Sequence, residues 1–157
     1  MRLAEESRAR LERFFRSYER DEELRLPVLS VHAGWWSGGL TRILRVGAIT
    51  VGRHIFVSRK MVGRNVRGEL TMPGWLLAHE AAHVRQFQKA GLLSFGFHYA
   101  REYLTFLARG RKFDARARQE AYEQITRERE AWAVEAAYLE WCASEPWSLL
   151  LKSGGGK

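Results

Sequence analysis

Cysteine is almost missing from this chain. Its 157 residues include one, Cys142, and a lone thiol excludes both an internal disulfide framework and a cysteine-based zinc cluster. The expected role is a buried structural thiol; the redox compartment stays open, with a reducing one comfortable. Long apolar runs are also absent, because charges interrupt every stretch that approaches membrane-spanning length. The N-terminal "MRLAEESRARLERFFRSYERDEELR" lacks the apolar core and small-residue cleavage site of a secretory signal. These absences predict a cytoplasmic chain, with non-classical delivery as its other route. Acidic charge is in short supply: 18 Asp and Glu face 26 Lys and Arg, a net charge of +8.

That excess is local. Residues 40–70 hold seven basic side chains (Arg42, Arg45, Arg53, Arg59, Lys60, Arg64, Arg67) against Glu69, whereas the first 25 residues balance seven against seven. An acidic protein partner fits such a surface. Nucleic acid is disfavoured, since no recognisable nucleic-acid module accompanies the charge. Peripheral membrane contact through "GLLSFGFHYAREYLTF" is the weaker reading, because Arg101 and Glu102 suit a partly buried helix as well.

What the chain does have is enough apolar and aromatic residues for one core: 46% hydrophobic, with 6 Trp, 5 Tyr and 8 Phe. Length and composition predict a single domain over residues 1–152 and a flexible tail at 153–157. Leu11, Phe14, Phe15 and Tyr18 recur at helical spacing and predict an amphipathic helix over about residues 3–20. Pro27 then turns the chain extended. "LPVLSVHAGWW", "TRILRV", "AITV" and "HIFVS" are short, β-branched and glycine-separated, the texture of a small antiparallel sheet. Within it, "AITVGRHIFVS" predicts a hairpin turning at Gly52-Arg53. Residues 58–72 read as a basic loop. Pro73 and Gly91 bracket one helix; a second carries Phe95, Tyr99, Glu102, Tyr103 and Phe106 on one side. A third starts at Asp114, an N-cap residue, with a break near Ile125-Thr126. The fold class is α+β: an N-terminal helix, a small sheet, then a motif helix packed against C-terminal helices.

The Pro73–Gly91 helix carries "LLAHEAAHVRQ". A helix turns about 100° per residue, so His79 and His83 lie about 40° apart and one turn along, where both imidazoles converge on one tetrahedral metal. Glu80 lies about 60° from His83, near enough to serve a reacting water as general base without ligating the metal. Two neutral nitrogens plus one poised carboxylate are what zinc hydrolysis asks of a helix. Small Ala81 and Ala82, flanked by Leu76, Leu77 and Val84, let this face be buried. A catalytic zinc needs a third protein ligand. His32, His54 and His98 qualify by type, but Glu128, Glu130 and Glu135 on the last helix are the better source, with Glu128 and Glu135 sharing a face and Trp132 beside Glu128 as a wall.

"AITVGRHIFV", "LLAHEAAHVRQFQKAGLLSFGFHYAREYL" and "EAYEQITREREAWAVE", in that order, resemble the small HExxH metallopeptidase-like domain of extracellular contractile injection system proteins and its stand-alone relatives, over about residues 47–137. The resemblance implies a zincin-like fold of the gluzincin type, Zn2+ as cofactor and a peptide or protein substrate. It implies Glu128, three residues before Ala131 in "EREA", as third ligand. An aspartate that often orients a ligating histidine in gluzincins is replaced here by Trp132, which leaves Gln86 as a substitute on the motif helix. Tyr99, Tyr103 and Tyr122 are the phenols available to a developing oxyanion. The alternative to a peptidase is a non-catalytic, zinc-stabilised interaction module.

Overall fold

Fifteen residues of the N-terminal segment form helix α1 (Glu5–Glu19), which turns Leu11, Phe14 and Phe15 into the core. Tyr18 is half-exposed and stacks on Phe14 with ring centroids 5.5 Å apart. The computed structural model describes residues 5–34, 47–64, 68, 70–109 and 114–144. The "TRILRV" segment, Trp35, Trp36, Arg42, Arg45, Arg67, Glu69 and the 153–157 tail lie outside the described residues.

Two side chains of α1 steer the chain that follows. Arg16 Nε donates to the Leu24 carbonyl at 3.0 Å, and Glu12 accepts from the Leu26 amide at 3.0 Å. Leu24, Leu26 and Leu29 are thereby tucked under the helix. Strand β1 (Ser30–His32) follows, then β2 (Ala48–Val51) and β3 (His54–Val57), in the order β1-β3-β2. The β2–β3 hairpin turns at Gly52-Arg53, with Gly52 at φ 60°, a left-handed conformation that glycine adopts without steric cost. β1, however, pairs with β3 in parallel, Val31 opposite Ile55. The hairpin places β3 between its partner and β1, so a chain that enters along β1 must skip one position to reach β2. Val31, Ile55 and Val57 point into the core.

The basic segment expected as a loop is partly ordered. It contains a 3-10 turn (Arg59–Met61) and a two-stranded antiparallel ladder, β4 (Gly63–Arg64) with β5 (Leu70–Thr71). Buried Leu70 anchors this ladder, an apolar contact that the charges around it mask in the sequence.

Helix α2 (Gly74–Ala90) forms the centre of the molecule. Every side chain from Leu76 to Val84 is buried. Pro73 precedes its first turn, and the Gly91 amide closes its last by donating to the Phe87 carbonyl at 2.8 Å. Helices α3 (Leu92–Arg109), α4 (Ala115–Glu123) and α5 (Thr126–Ser144) complete the α+β fold. Asp114 caps α4 by accepting from the Ala117 amide at 2.8 Å. The break between α4 and α5 falls at Ile125, which is fully buried. Glu102 of α3 accepts from the Thr126 amide at 2.8 Å, a cap for α5 supplied from another helix. Cys142 is half-buried rather than buried, and its sulfur accepts from Arg10 at 3.3 Å.

α2 and α5 run antiparallel, bringing Gly74 to Tyr138, His79 to Glu135 and His83 to Glu128. The approach is close at Gly74: an added Cβ would lie 2.6 Å from the Tyr138 hydroxyl and 2.9 Å from its ring. The Tyr138 ring is itself held edge-on by Phe14 at 5.1 Å, so it has little room to give. Gly74→Ala is therefore expected to destabilise the protein by about 1–3 kcal/mol through overpacking, against the small helix-propensity gain of the same change. Chemical denaturation checks this; a Gly74→Ala protein as stable as wild type would contradict the packing described.

Candidate metal site

The motif helix delivers two imidazoles and α5 delivers one carboxylate. His83 Nε2 lies 3.4 Å from Glu128 Oε1, and His79 Nε2 lies 3.5 Å from Glu128 Oε2. One donor atom from each residue falls within 4.8 Å of the other two, and all three residues are buried. Two donors held about 2.0–2.1 Å from a tetrahedral metal stand about 3.3 Å apart, so these spacings suit a shared ion. Among the described residues, this is the one grouping of its kind.

The outward nitrogens are occupied. His79 Nδ1 faces Glu135 Oε2 at 3.2 Å, and His83 Nδ1 faces Gln86 Oε1 at 2.9 Å. Gln86 is fixed in turn, its amide donating to Glu130 at 2.8 Å and to the Arg127 carbonyl at 3.1 Å. With Nδ1 engaged on both rings, each Nε2 is the free ligating atom, the arrangement that orients imidazoles toward a metal. The donor chemistry and the orientation thus fit a divalent ion such as zinc.

Glu128 is only 3% exposed, yet both its oxygens accept phenol hydrogens: from Tyr99 at 2.9 Å and from Tyr122 at 2.5 Å. Burial alone would raise its carboxyl; the imidazoles of His79 and His83 and the Tyr122 hydroxyl outweigh this and hold it well below the usual carboxylate range. Burial pushes both phenols upward, and the Glu128 charge adds to it, so they remain protonated donors. For His83, burial would favour the neutral ring; the Glu128 carboxylate prevails and raises it above its ordinary value. Glu80 does not join the triangle. It is buried against β2, where the Thr50 hydroxyl donates to its Oε2 at 2.7 Å, and burial raises its carboxyl.

All of these groups open onto one cavity of about 780 Å³. Strand β2 forms one wall, Phe95, Tyr99 and Tyr103 of α3 another, and Tyr122 of α4 a third. Tyr103 lines the cavity but also packs with Leu107 and Ala121, away from Glu128. Trp132 stands 6.0 Å from the Tyr122 ring, one layer behind the site. His98 is exposed beside Phe97, and His32 and His54 pair with each other across the sheet at 3.0 Å. None of these three histidines reaches the cluster. Glu130 and Glu135 sit behind Gln86 and His79 rather than among the facing donor atoms. Sequence reasoning missed the tasks of Thr50 and Glu135. The hydroxyl on an edge strand carries no readable signal, but Glu135 lies seven residues after Glu128, and that shared face was a usable clue.

A family model described as the eCIS core domain matches residues 2–91, more than half of the chain. With its buried His-His-Glu cluster on an α+β scaffold, the chain is a member of the extracellular contractile injection system core domain family. The matched segment takes in all of α1 and so begins earlier than the segment that carries the resemblance. It includes His79, Glu80 and His83 and ends at Gly91, so Glu128 and its two phenols lie beyond it. No curated protein and no solved structure matches the chain. No helix of the described residues is long and apolar enough to cross a membrane.

The charges set opposite pH responses with and without metal. In the metal-free protein, raised His83 contributes stability that is complete below its unfolded pKa and is lost as pH rises through its folded value. Depressed Glu128 contributes stability that is lost only on strong acidification. A metal requires neutral imidazoles, so loading must release protons and strengthen with rising pH. Melting temperature against pH, in chelator and in zinc, is expected to fall with chelator and hold or rise with zinc above neutrality. Parallel curves would contradict the assignment.

Proposed function

We propose that this domain is a zinc-dependent peptidase working in the context of a contractile injection system. The observation that carries the reading is a buried carboxylate, Glu80, with a raised pKa, beside a His-His-Glu donor set in a shared cavity. Zinc, when held by His79, His83 and Glu128, supplies Lewis acidity and brings a water toward deprotonation near neutral pH. Glu80 accepts that water's proton at its carboxylate and returns it to the leaving amine. Burial moves its carboxyl upward, the direction that eases return of the proton once it has been taken. Thr50 keeps the Glu80 carboxylate from rotating away. Tyr99 and Tyr122 donate their hydroxyl hydrogens to Glu128, so their part is to keep that carboxylate charged and oriented within the donor set.

Substrate binding follows from β2. Its Ala48–Val51 backbone is at the edge of the sheet and lines the cavity, so an extended peptide can add to it as a further strand. The tyrosine and phenylalanine walls then contact its side chains.

A second reading keeps the metal without turnover. Zinc would tie α2 to α5 and stiffen a module whose exposed Arg53, Arg59 and Lys60 meet an acidic partner. Glu80→Gln separates the two. The peptidase reading expects this variant to fold and bind zinc as wild type does while peptide hydrolysis drops at least about 100-fold, within the range of general-base contributions. Hydrolysis by wild type that is unchanged in Glu80→Gln would exclude Glu80 as the base, and a wild-type protein that binds zinc but cleaves no peptide in a broad library would favour the second reading.

A further inference from the structure

Nearly every side-chain donor that lines the cavity is already engaged. Tyr99 and Tyr122 give their hydroxyl hydrogens to Glu128, Thr50 gives its own to Glu80, and Gln119 Nε2 donates to Glu123 at 2.9 Å. Two side chains stand apart. The Arg118 guanidinium and the Tyr103 hydroxyl line the cavity and make no hydrogen bond or ion pair with a described residue. Among the described residues of the lining, Arg118 is the one Arg or Lys, and it is exposed. The Tyr103 hydroxyl also reaches solvent, because no buried side-chain polar atom among the described residues lacks a partner.

No acid of the protein neutralises Arg118. Glu120 pairs with Arg116 at 2.7 Å, Glu123 accepts from Gln119, and Asp114 is held by the Ala117 amide as the cap of α4. Around the helix, Glu120 and Glu123 lie about 160° and about 140° from Arg118, so both face away from it. Within the cavity, Glu128 is taken up by two imidazoles and two phenols, and Glu80 by Thr50. The negative charge that suits Arg118 therefore has to arrive with a ligand.

Both free donors sit at the same end. Tyr103 packs with Ala117 and Ala121 of α4, beside Arg118. It lies one turn beyond Tyr99 on α3, and Arg118 lies one turn before Tyr122 on α4. Those two phenols touch Glu128 and so mark the donor set. One turn is about 6 Å, which spans about two residues of an extended peptide. The opposite end of the cavity, with Phe87, Leu92 and Phe95, is apolar. We infer that Arg118 and Tyr103 form a carboxylate-recognising subsite, so that the peptide cleaved here carries a negative charge within about two residues of the scissile bond. An acidic side chain or a C-terminal carboxylate supplies the same chemistry. A guanidinium fork matches the two carboxylate oxygens, and the phenol adds a further hydrogen bond. That the occupant is a peptide rests on the peptidase reading above.

Hexapeptide pairs that differ by glutamate or glutamine at one position test this on the zinc-loaded full chain. One set is acetylated and amidated, so the side chain is its only charge, and a second set keeps a free C-terminus. Calorimetry is done in Glu80→Gln protein to suppress turnover. At one position, glutamate is expected to bind about fivefold more tightly than glutamine, a factor that the exposure of Arg118 holds below that of a buried pair. With Arg118→Ala added, the ratio should fall to about one; with Arg118→Glu it should reverse, and with Tyr103→Phe it should drop about twofold. Melting temperature and zinc content should not change, since Arg118 is exposed and phenylalanine keeps the packing of Tyr103. A preference that follows the free C-terminus, vanishes on amidation and is lost in Arg118→Ala supports the same subsite and makes its ligand the chain end. Equal affinity for all peptides, no binding of any, or a preference that survives Arg118→Ala overturns the inference. Hydrolysis by wild type separates it from the reading on which it rests. Cleavage indifferent to acid removes the subsite and leaves the peptidase, whereas acid-selective binding with no cleavage removes the peptidase and leaves the subsite.

Discussion

Keeping one carboxylate charged inside the protein is the constraint on which the rest of this structure depends. An isolated buried carboxylate would neutralise itself by taking up a proton, because the interior solvates charge poorly. Glu128 stays ionised because four groups face its two oxygens: His79 and His83 from α2, Tyr99 from α3 and Tyr122 from α4. Every C-terminal helix is therefore committed to one point. The close fit of Gly74 against Tyr138 sets the separation of α2 and α5 at one end, and the Glu128 cluster fixes it at the other. Between the two ends, Leu76, Leu77, Ala78 and Ala81 pack into a core shared with α1 and the sheet.

The same constraint explains why α2 lacks the usual polar face. A helix that is buried all round must be small or apolar wherever it is not functional, and residues 76–84 are alanine, leucine and valine apart from His79, Glu80 and His83. Each polar exception has a partner: Glu135 of α5 for His79, Gln86 one turn further along α2 for His83, and Thr50 of β2 for Glu80. No buried side-chain polar atom among the described residues lacks a partner. The α1 side of the helix is tied down separately, by Arg85 and Lys89 to Glu19, whose carboxyl these two cations hold below its ordinary value despite its burial.

Much of this was legible in the residues, and the division follows the range of the interactions. The hairpin at Gly52-Arg53, the Pro73–Gly91 helix, the Asp114 cap and the break at Ile125 depend on neighbours within a few positions, so local rules find them. His79, Glu80 and His83 share one helix, and their spacing alone defines their relative placement. The parallel pairing of β1 with β3, the β4–β5 ladder and the capping of α5 by Glu102 depend on chain segments far apart in sequence. Local patterns carry no trace of such partners. Glu135 is the instructive case: the residue type and the helix face were readable, but its place behind His79 is set by the antiparallel crossing of α2 and α5. In the same way, a helix read as partly buried proved to bury one side and leave Leu93, Phe97 and Leu104 outside.

The account stands on Glu128 as a metal ligand, the residue that lies beyond the family match. Zinc analysis by inductively coupled plasma mass spectrometry, on protein purified without added chelator, tests it most directly. Wild type should carry one zinc per chain, and Glu128→Ala should carry almost none while Glu130→Ala keeps it. Equal zinc in wild type and Glu128→Ala, or none in either after zinc is supplied, would contradict it.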